Sequence, residues 1–249
     1  MTLEIDFTRL EKLGSLKSGG HKGPDNGACV MEAVAYIAGE KWSDHPQCVS
    51  PVIGAFLRNW NDSLPSDADR DRLLKPLIPK IINTRADDAT EERRSYLALD
   101  WMIRTYLPAW LRFAKLEDEA DKVAALAPIA DMETATAAAP VVQAANTKAA
   151  AARDAARDAA WDAAWAAAWA AAGAAAGDAA WDAAGDAAGA AAWDAAWDAA
   201  WAAAWAAAGA AAGDAAWDAA WDALAPTRDA LQLSAVDLVE RMAALKGGA

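Results

Sequence analysis

The sequence predicts an all-α protein, and three observations carry that prediction. Apolar residues recur at three- and four-residue spacing through the first half of the chain. Serines, aspartates and prolines fall where helices start and stop. The second half is a four-residue alanine repeat, and alanine has the strongest intrinsic helix preference. Nothing in the chain reads as a run of strands, so the expected architecture is helix on helix.

Leu3, Ile5 and Phe7 alternate like a strand, whereas Leu10 and Leu13 follow at helical spacing, so the opening segment is left undecided. Ser18 to Gly27 is a loop by composition. A first helix is expected from near Ala28, with Asp25 or Asn26 as its cap. Val30, Met31, Val34 and Ile37 would form its stripe, and Gly39 would end it. Ser50 followed by Pro51 is the favoured opening of a second helix. That helix would bury Val52, Ile53, Phe56, Leu57 and Trp60 and stop before Pro65. A third begins at Ser66, with Asp67 and Asp69 at the positive end of its dipole. Pro76 and Pro79 interrupt it, and Leu73, Leu74, Leu77, Ile78, Ile81 and Ile82 are its core residues. A fourth runs from about Asp88 to Phe113, kinked at Pro108. Its expected anchors are Leu97, Leu99, Trp101, Met102, Tyr106, Trp110 and Phe113.

Residues 117–147 lose large apolar groups and read as a short acidic helix, then a linker centred on Pro140. From Ala149 to Ala223 the chain repeats as Ala-Ala-Xaa-Yaa, with Xaa Trp, Gly or Arg and Yaa Asp or Ala. As one unbroken helix it would extend on the order of 110 Å; broken at its Gly pairs it would fold as a hairpin instead. Each Xaa then lies about 40° past the last, so Trp neighbours pack while the stripe winds around the helix. This is no heptad coiled coil. The Trp, Gly and Asp order recurs after thirty-six residues, with Trp161 to Trp181 matched by Trp197 to Trp217. A ruler or docking surface would show that order. So would slippage in a GC-rich gene, because Arg, Trp and Gly codons can differ at one base. Pro226 is expected to end the repeat and Thr227 to cap a last helix striped by Leu231, Ala235, Leu238, Met242 and Leu245. The resulting parts are an N-terminal segment with its Gly-rich loop (1–27), an all-α domain (28–116), an acidic helix and linker (117–148), the repeat (149–223) and an amphipathic C-terminal helix (224–249).

A net charge of −13 argues against a nucleic-acid partner and against anionic membranes. It suits a basic partner, and an acidic decoy is one reading of it. Two cysteines make no disulfide scaffold, which suggests a reducing compartment. The opening residues carry no signal-peptide pattern, and no uncharged run reaches bilayer length, so a cytoplasmic location is expected.

The sharpest constellation is Cys29-x-x-Glu32 followed by His45-x-x-Cys48. Thiolate, carboxylate and imidazole are zinc ligands, and residues three apart on a helix can converge on one ion. Zinc is therefore the one cofactor the sequence suggests. Against it, the combination is no standard structural zinc set, and a cysteine on an apolar helix is usually a small core residue. Cys29 also follows a Gly/Asn loop at a helix start, the placement that activates thiols in papain-like enzymes, with His45 as base. The sheet of those enzymes is not evident, and no catalytic residue is assigned. Lys17, His21 and Lys22 could hold an anion, although a solvated loop explains them as well. Glu91-Glu92-Arg93-Arg94 reads as a charged outer helix face.

The stretch from Asp25-Asn-Gly-Ala-Cys-Val-Met-Glu-Ala through Trp42-Ser-Asp-His-Pro-Gln-Cys-Val-Ser-Pro resembles the opening of an uncharacterised group of bacterial and phage-encoded proteins. That group is similar also in its Ala-Ala-Trp-Asp or Ala-Ala-Arg-Asp repeats and in the closing Pro226-Thr-Arg-Asp-Ala-Leu segment. The resemblance implies architecture and attaches no activity. The leading expectation is a non-enzymatic interaction or scaffold protein, acting through self-association or a protein partner. Its interaction residues would be Trp161, Trp165, Trp169, Trp181, Trp193, Trp197, Trp201, Trp205, Trp217 and Trp221. The alternative is a metal- or thiol-dependent domain centred on Cys29, Glu32, His45 and Cys48.

Overall fold

The computed structural model describes residues 4–152, 154–155 and 222–247. Met1–Ala145 and Thr227–Ala249 form one compact unit, and Asn146–Pro226 form a second. The described residues are helical and loop, with a single isolated bridge between Leu16 and Ala28. In the second unit, 146–152, 154–155 and 222–226 are described, and all are helical. The ten repeat tryptophans expected to carry interaction lie outside the described residues.

The first unit opens with α1 (Phe7–Lys12), capped by Asp6, which settles the undecided segment as helix over those residues. After the loop comes α2 (Val30–Ile37), seven of whose eight residues are buried. Its C-terminus follows the sequence expectation. Gly39 takes a φ of +72°, its N–H donates to Tyr36 O, and the Glu40 N–H reaches Ala35 O. Those two bonds make a Schellman stop. The N-terminus differs from expectation, because Asp25 and Asn26 sit in a short 3-10 turn and Cys29 is the cap.

α3 (Pro51–Ser63) starts at Ser50 and stops before Pro65, and α4 (Asp67–Leu73) starts at Ser66, both as their caps predict. Pro76 and Pro79 then break the chain into a 3-10 turn (Lys75–Leu77) and the short α5 (Ile78–Ile81). All six core residues expected here, from Leu73 to Ile82, are buried.

α6 (Asp88–Trp101) continues through a π-turn (Met102–Tyr106) into α7 (Leu107–Phe113). Proline cannot donate to the helix ladder and its ring crowds the preceding turn. The π-turn absorbs that misfit: the Leu107 N–H donates to Met102 O, five residues back, just before Pro108. Of the expected anchors, Trp101 is buried, whereas Met102, Tyr106 and Phe113 are 52%, 40% and 40% exposed. The widened turn rotates the later residues away from the stripe that a regular helix would keep.

α8 (Glu117–Ala124) is the expected acidic helix. Most of the segment expected as a linker is helical. A helix over 132–152, here α9, runs through Pro140, opened by Asp131 accepting from the Thr134 N–H at 2.8 Å. The last helix, α10, covers 222–244 without a break at Pro226 or a cap at Thr227. In both places one helix bond is lost to proline, and alanine-rich flanks offset it.

Leu231, Ala235, Leu238, Val239 and Met242 of α10 are buried, and the last four join the same core as Val30, Val34, Ile53, Leu57, Leu74 and Ile78. Burying each large side chain among them contributes about 1.5–3 kcal/mol. Polar contacts fix the register. The Trp101 Nε1–H donates to Ser234 Oγ at 2.9 Å, and Arg72 donates to Gln232 Oε1 at 3.3 Å. Lys80 pairs with Glu240. The Glu91–Arg94 run is an outer face only in part: Glu92 and Arg93 are exposed, whereas Arg94 is 1% exposed and reaches the end of α10.

Candidate functional site

Cys29 and Glu32 meet at the start of α2, in the roles of a capping box. The Glu32 N–H points at Cys29 Sγ at 3.5 Å, and Glu32 Oε2 accepts from the Cys29 N–H at 2.8 Å. A capping box needs a side-chain acceptor at the first position and a carboxylate or amide three residues on. Cys-x-x-Glu meets that need with sulfur standing where serine or threonine usually stands. Three-residue spacing serves capping and ligation equally, which is why the sequence alone suggested a metal.

Glu32 has a second task. Its carboxylate accepts from the His21 N–H at 2.7 Å and contacts His21 Nδ1 at 2.8 Å. The Trp42 indole N–H donates to the His21 carbonyl at 2.7 Å. The Gly-rich loop is thereby hooked onto the helix start. A Cβ on Gly27, where φ is +99°, would sit 3.1 Å from the imidazole, so glycine lets the ring lie against the backbone. Lys17 of the same loop pairs with Asp67, and the Gly19 N–H donates to Asp62, whose carboxyl that bond holds below its usual range. Two of the three groups read as an anion cradle, Lys17 and His21, therefore serve the loop's own attachment.

His45 and Cys48 do not join this group. The His45 side chain is 64% exposed and its Nδ1 lies 2.7 Å from Asp44 Oδ1. The Cys48 N–H donates to Glu40 at 2.7 Å, and the Gln47 N–H donates to the other oxygen of the same carboxylate. The four predicted ligands thus fall into separate networks. Among the described residues, no group of three or more His, Cys, Asp or Glu is placed to hold a metal ion. Both cysteines are free and buried. Burial pushes the Cys29 thiol up to about 12, and burial with the neighbouring Glu40 pushes Cys48 up to about 11. Desolvation disfavours the thiolate, the reverse of what a nucleophile or zinc ligand needs. His45, the base expected for Cys29, bonds to Asp44 instead.

The π-turn organises a second feature. Aromatic contacts, edge-on except for the tilted Trp101–Tyr106 pair, run from Trp60 to Phe56, Trp101, Tyr106, Trp110 and Phe113, with successive ring centroids 5.5–6.1 Å apart. The row starts against the core and ends among exposed rings, with exposed Met102 next to Trp101 in sequence. Trp110 Nε1 is buried and has no hydrogen-bond partner among the described residues. An indole N–H left this way is uncommon, since buried donors are nearly always matched. The sequence showed the aromatics of α6 and α7 but not their outward turn, because the π-turn shifts the phase.

No protein-family model matches the chain, and no curated protein or solved structure matches it. Among the described residues no helix is long and apolar enough to cross a membrane.

Proposed function

We propose that this chain is a non-enzymatic interaction protein. The first unit acts as its platform, and the Trp-Ala repeat supplies the surface for self-association or docking of a protein partner. The aromatic row carries this reading: it includes exposed Tyr106 and Phe113 and the unmatched Trp110 indole, and exposed Met102 adjoins it at Trp101. Large apolar groups gathered at a surface favour association, and aromatic and Met side chains are enriched where proteins meet. The reactive groups support the same reading from the other side. Cys29 caps a helix, Glu32 hooks a loop, and both thiols are held protonated by burial. The part given to the repeat rests on its sequence, in which rows of Trp on small alanines would expose apolar area unless covered.

The test is light scattering on the full chain after size-exclusion chromatography, beside a variant lacking 149–223. A multiple of 26.0 kDa for the full chain, falling on deletion, is the expected result. An unchanged subunit number on deletion refutes the role assigned to the repeat.

A further inference from the structure

A cleft of about 190 Å³ opens where the 45–50 loop meets the first turns of α3. Met31, Pro46, Val49 and Pro51 give it apolar walls, Arg58 and Arg85 give it positive charge, and His45 also lines it. Gly54 of α3 also lines it. A Cβ there would meet only two side-chain ends, Arg58 Nη1 at 3.3 Å and Met31 Cε at 3.4 Å. Glycine inside a helix costs about 1 kcal/mol relative to alanine, and here it leaves room.

The charges around the cleft are uneven. Arg9, Arg70, Arg72 and Arg94 each face a carboxylate. Among the described residues Arg58 and Arg85 have no such partner. Arg58 donates to the Asp44 carbonyl at 3.1 Å, and the Arg85 guanidinium makes 3.4 Å contacts with Gln47. The nearby carboxylates are engaged elsewhere. Asp44 holds His45, Glu40 accepts from two backbone N–H groups, and Glu91 holds Ser50, Ala86 N–H and Arg94. Two guanidiniums without a carboxylate partner among the described residues thus line one apolar cleft.

We propose that this cleft binds a small organic anion: a carboxylate or phosphate monoester head joined to a short apolar body. Guanidinium forks match planar or tetrahedral oxyanions through paired N–H bonds. The apolar walls take the body out of water. The volume suits one ring or a short chain, being below the usual range for larger ligands.

The test is a ligand-observed NMR titration of the full chain with sodium benzoate, phenyl phosphate and neutral benzyl alcohol. Saturable binding of benzoate or phenyl phosphate, and none of benzyl alcohol, is expected. The stronger of the two anions identifies the head group. Arg58→Ala with Arg85→Ala should weaken that anion at least tenfold. Gly54→Ala, which favours the helix and adds a methyl to the lining, should weaken it about threefold or more while circular dichroism stays unchanged. The proposal is overturned if neither anion saturates the wild-type chain, if benzyl alcohol binds equally well, or if both sets of variants bind like wild type.

Discussion

Replacing Arg94 by alanine should release the end of the last helix. The guanidinium is 1% exposed and makes four hydrogen bonds. Nε donates to Met242 O at 2.9 Å and Nη2 to Leu245 O at 2.6 Å. Nη1 donates to Thr84 O at 2.6 Å and to Glu91 Oε1 at 2.7 Å. Two of those carbonyls lie in the last turn of α10 and just past it, where helix carbonyls lack partners and a cation is favoured by the dipole. Removing one member of a buried ion pair typically costs about 3–5 kcal/mol, because the partner is left charged and unmatched. Glu91 retains Ser50 and the Ala86 N–H, which places the expected loss near 3 kcal/mol, the lower end of that range. The repeat holds ten of the fourteen tryptophans, so fluorescence would report mostly on it. Hydrogen exchange read by peptide separates the segments. A local loss of about 3 kcal/mol raises exchange roughly a hundredfold over 235–242. Peptides from α8, which Arg94 does not touch, should change little. Arg94→Lys keeps the charge but loses the fork, and should fall between the two. Exchange over 235–242 within about threefold of wild type in the alanine variant would refute this account of how α10 is held.

Two further outcomes follow from the start of α2. Cys29→Ser keeps a capping acceptor and should leave thermal stability within about 1 kcal/mol of wild type, whereas Cys29→Val removes it and should cost roughly 1 kcal/mol more than the serine variant. Calorimetry on both variants checks the order, and a serine variant no better than valine would contradict the cap. At pH 8 a thiol with its pKa at about 11 is ~100-fold less ionised than one at the ordinary 9.0, so Cys48 should label with iodoacetamide at least that much more slowly in the native than in the denatured chain. The sign is fixed by burial: native labelling accelerates only as pH climbs toward 11, two units above the ordinary thiol. Native labelling at the denatured rate would show the thiol to be open to solvent.

Much of the first unit was legible because its signals are local. Ser50 with Pro51, Ser66 before two aspartates, and Gly39 after an apolar stripe each act within one helical turn, and each sits where the sequence places it. What was not legible depends on partners far along the chain. Arg94 looked like surface charge because its acceptors, Met242 and Leu245, lie about 150 positions away. Tyr106 and Phe113 looked like core because a regular helical phase was carried on from Trp101, whereas the π-turn over Met102–Tyr106 resets it. Pro140 and Pro226 looked like breaks because a proline's local cost was weighed without its alanine-rich neighbourhood.

The Cys29–Glu32 pair shows why residue spacing alone cannot assign chemistry here. A metal site and a capping box both ask for two electron-rich groups three residues apart at a helix start. They differ in what those groups face. A metal site turns its lone pairs toward a common point and favours the thiolate. Here Glu32 spends its oxygens on three donors, the Cys29 N–H and the backbone and ring of His21. The sulfur accepts from the backbone in a buried setting that holds its proton. Zinc at Cys29 would have to remove that proton and draw Glu32 away from the loop it anchors. His21, not His45, is the imidazole the fold brings to Glu32, and the contact closes the loop against α2. The same residue types that suggested catalysis or metal binding therefore act to fix the ordering of residues 16–32, on which the first turn of α2 and the core contacts of Leu16 and Val30 depend.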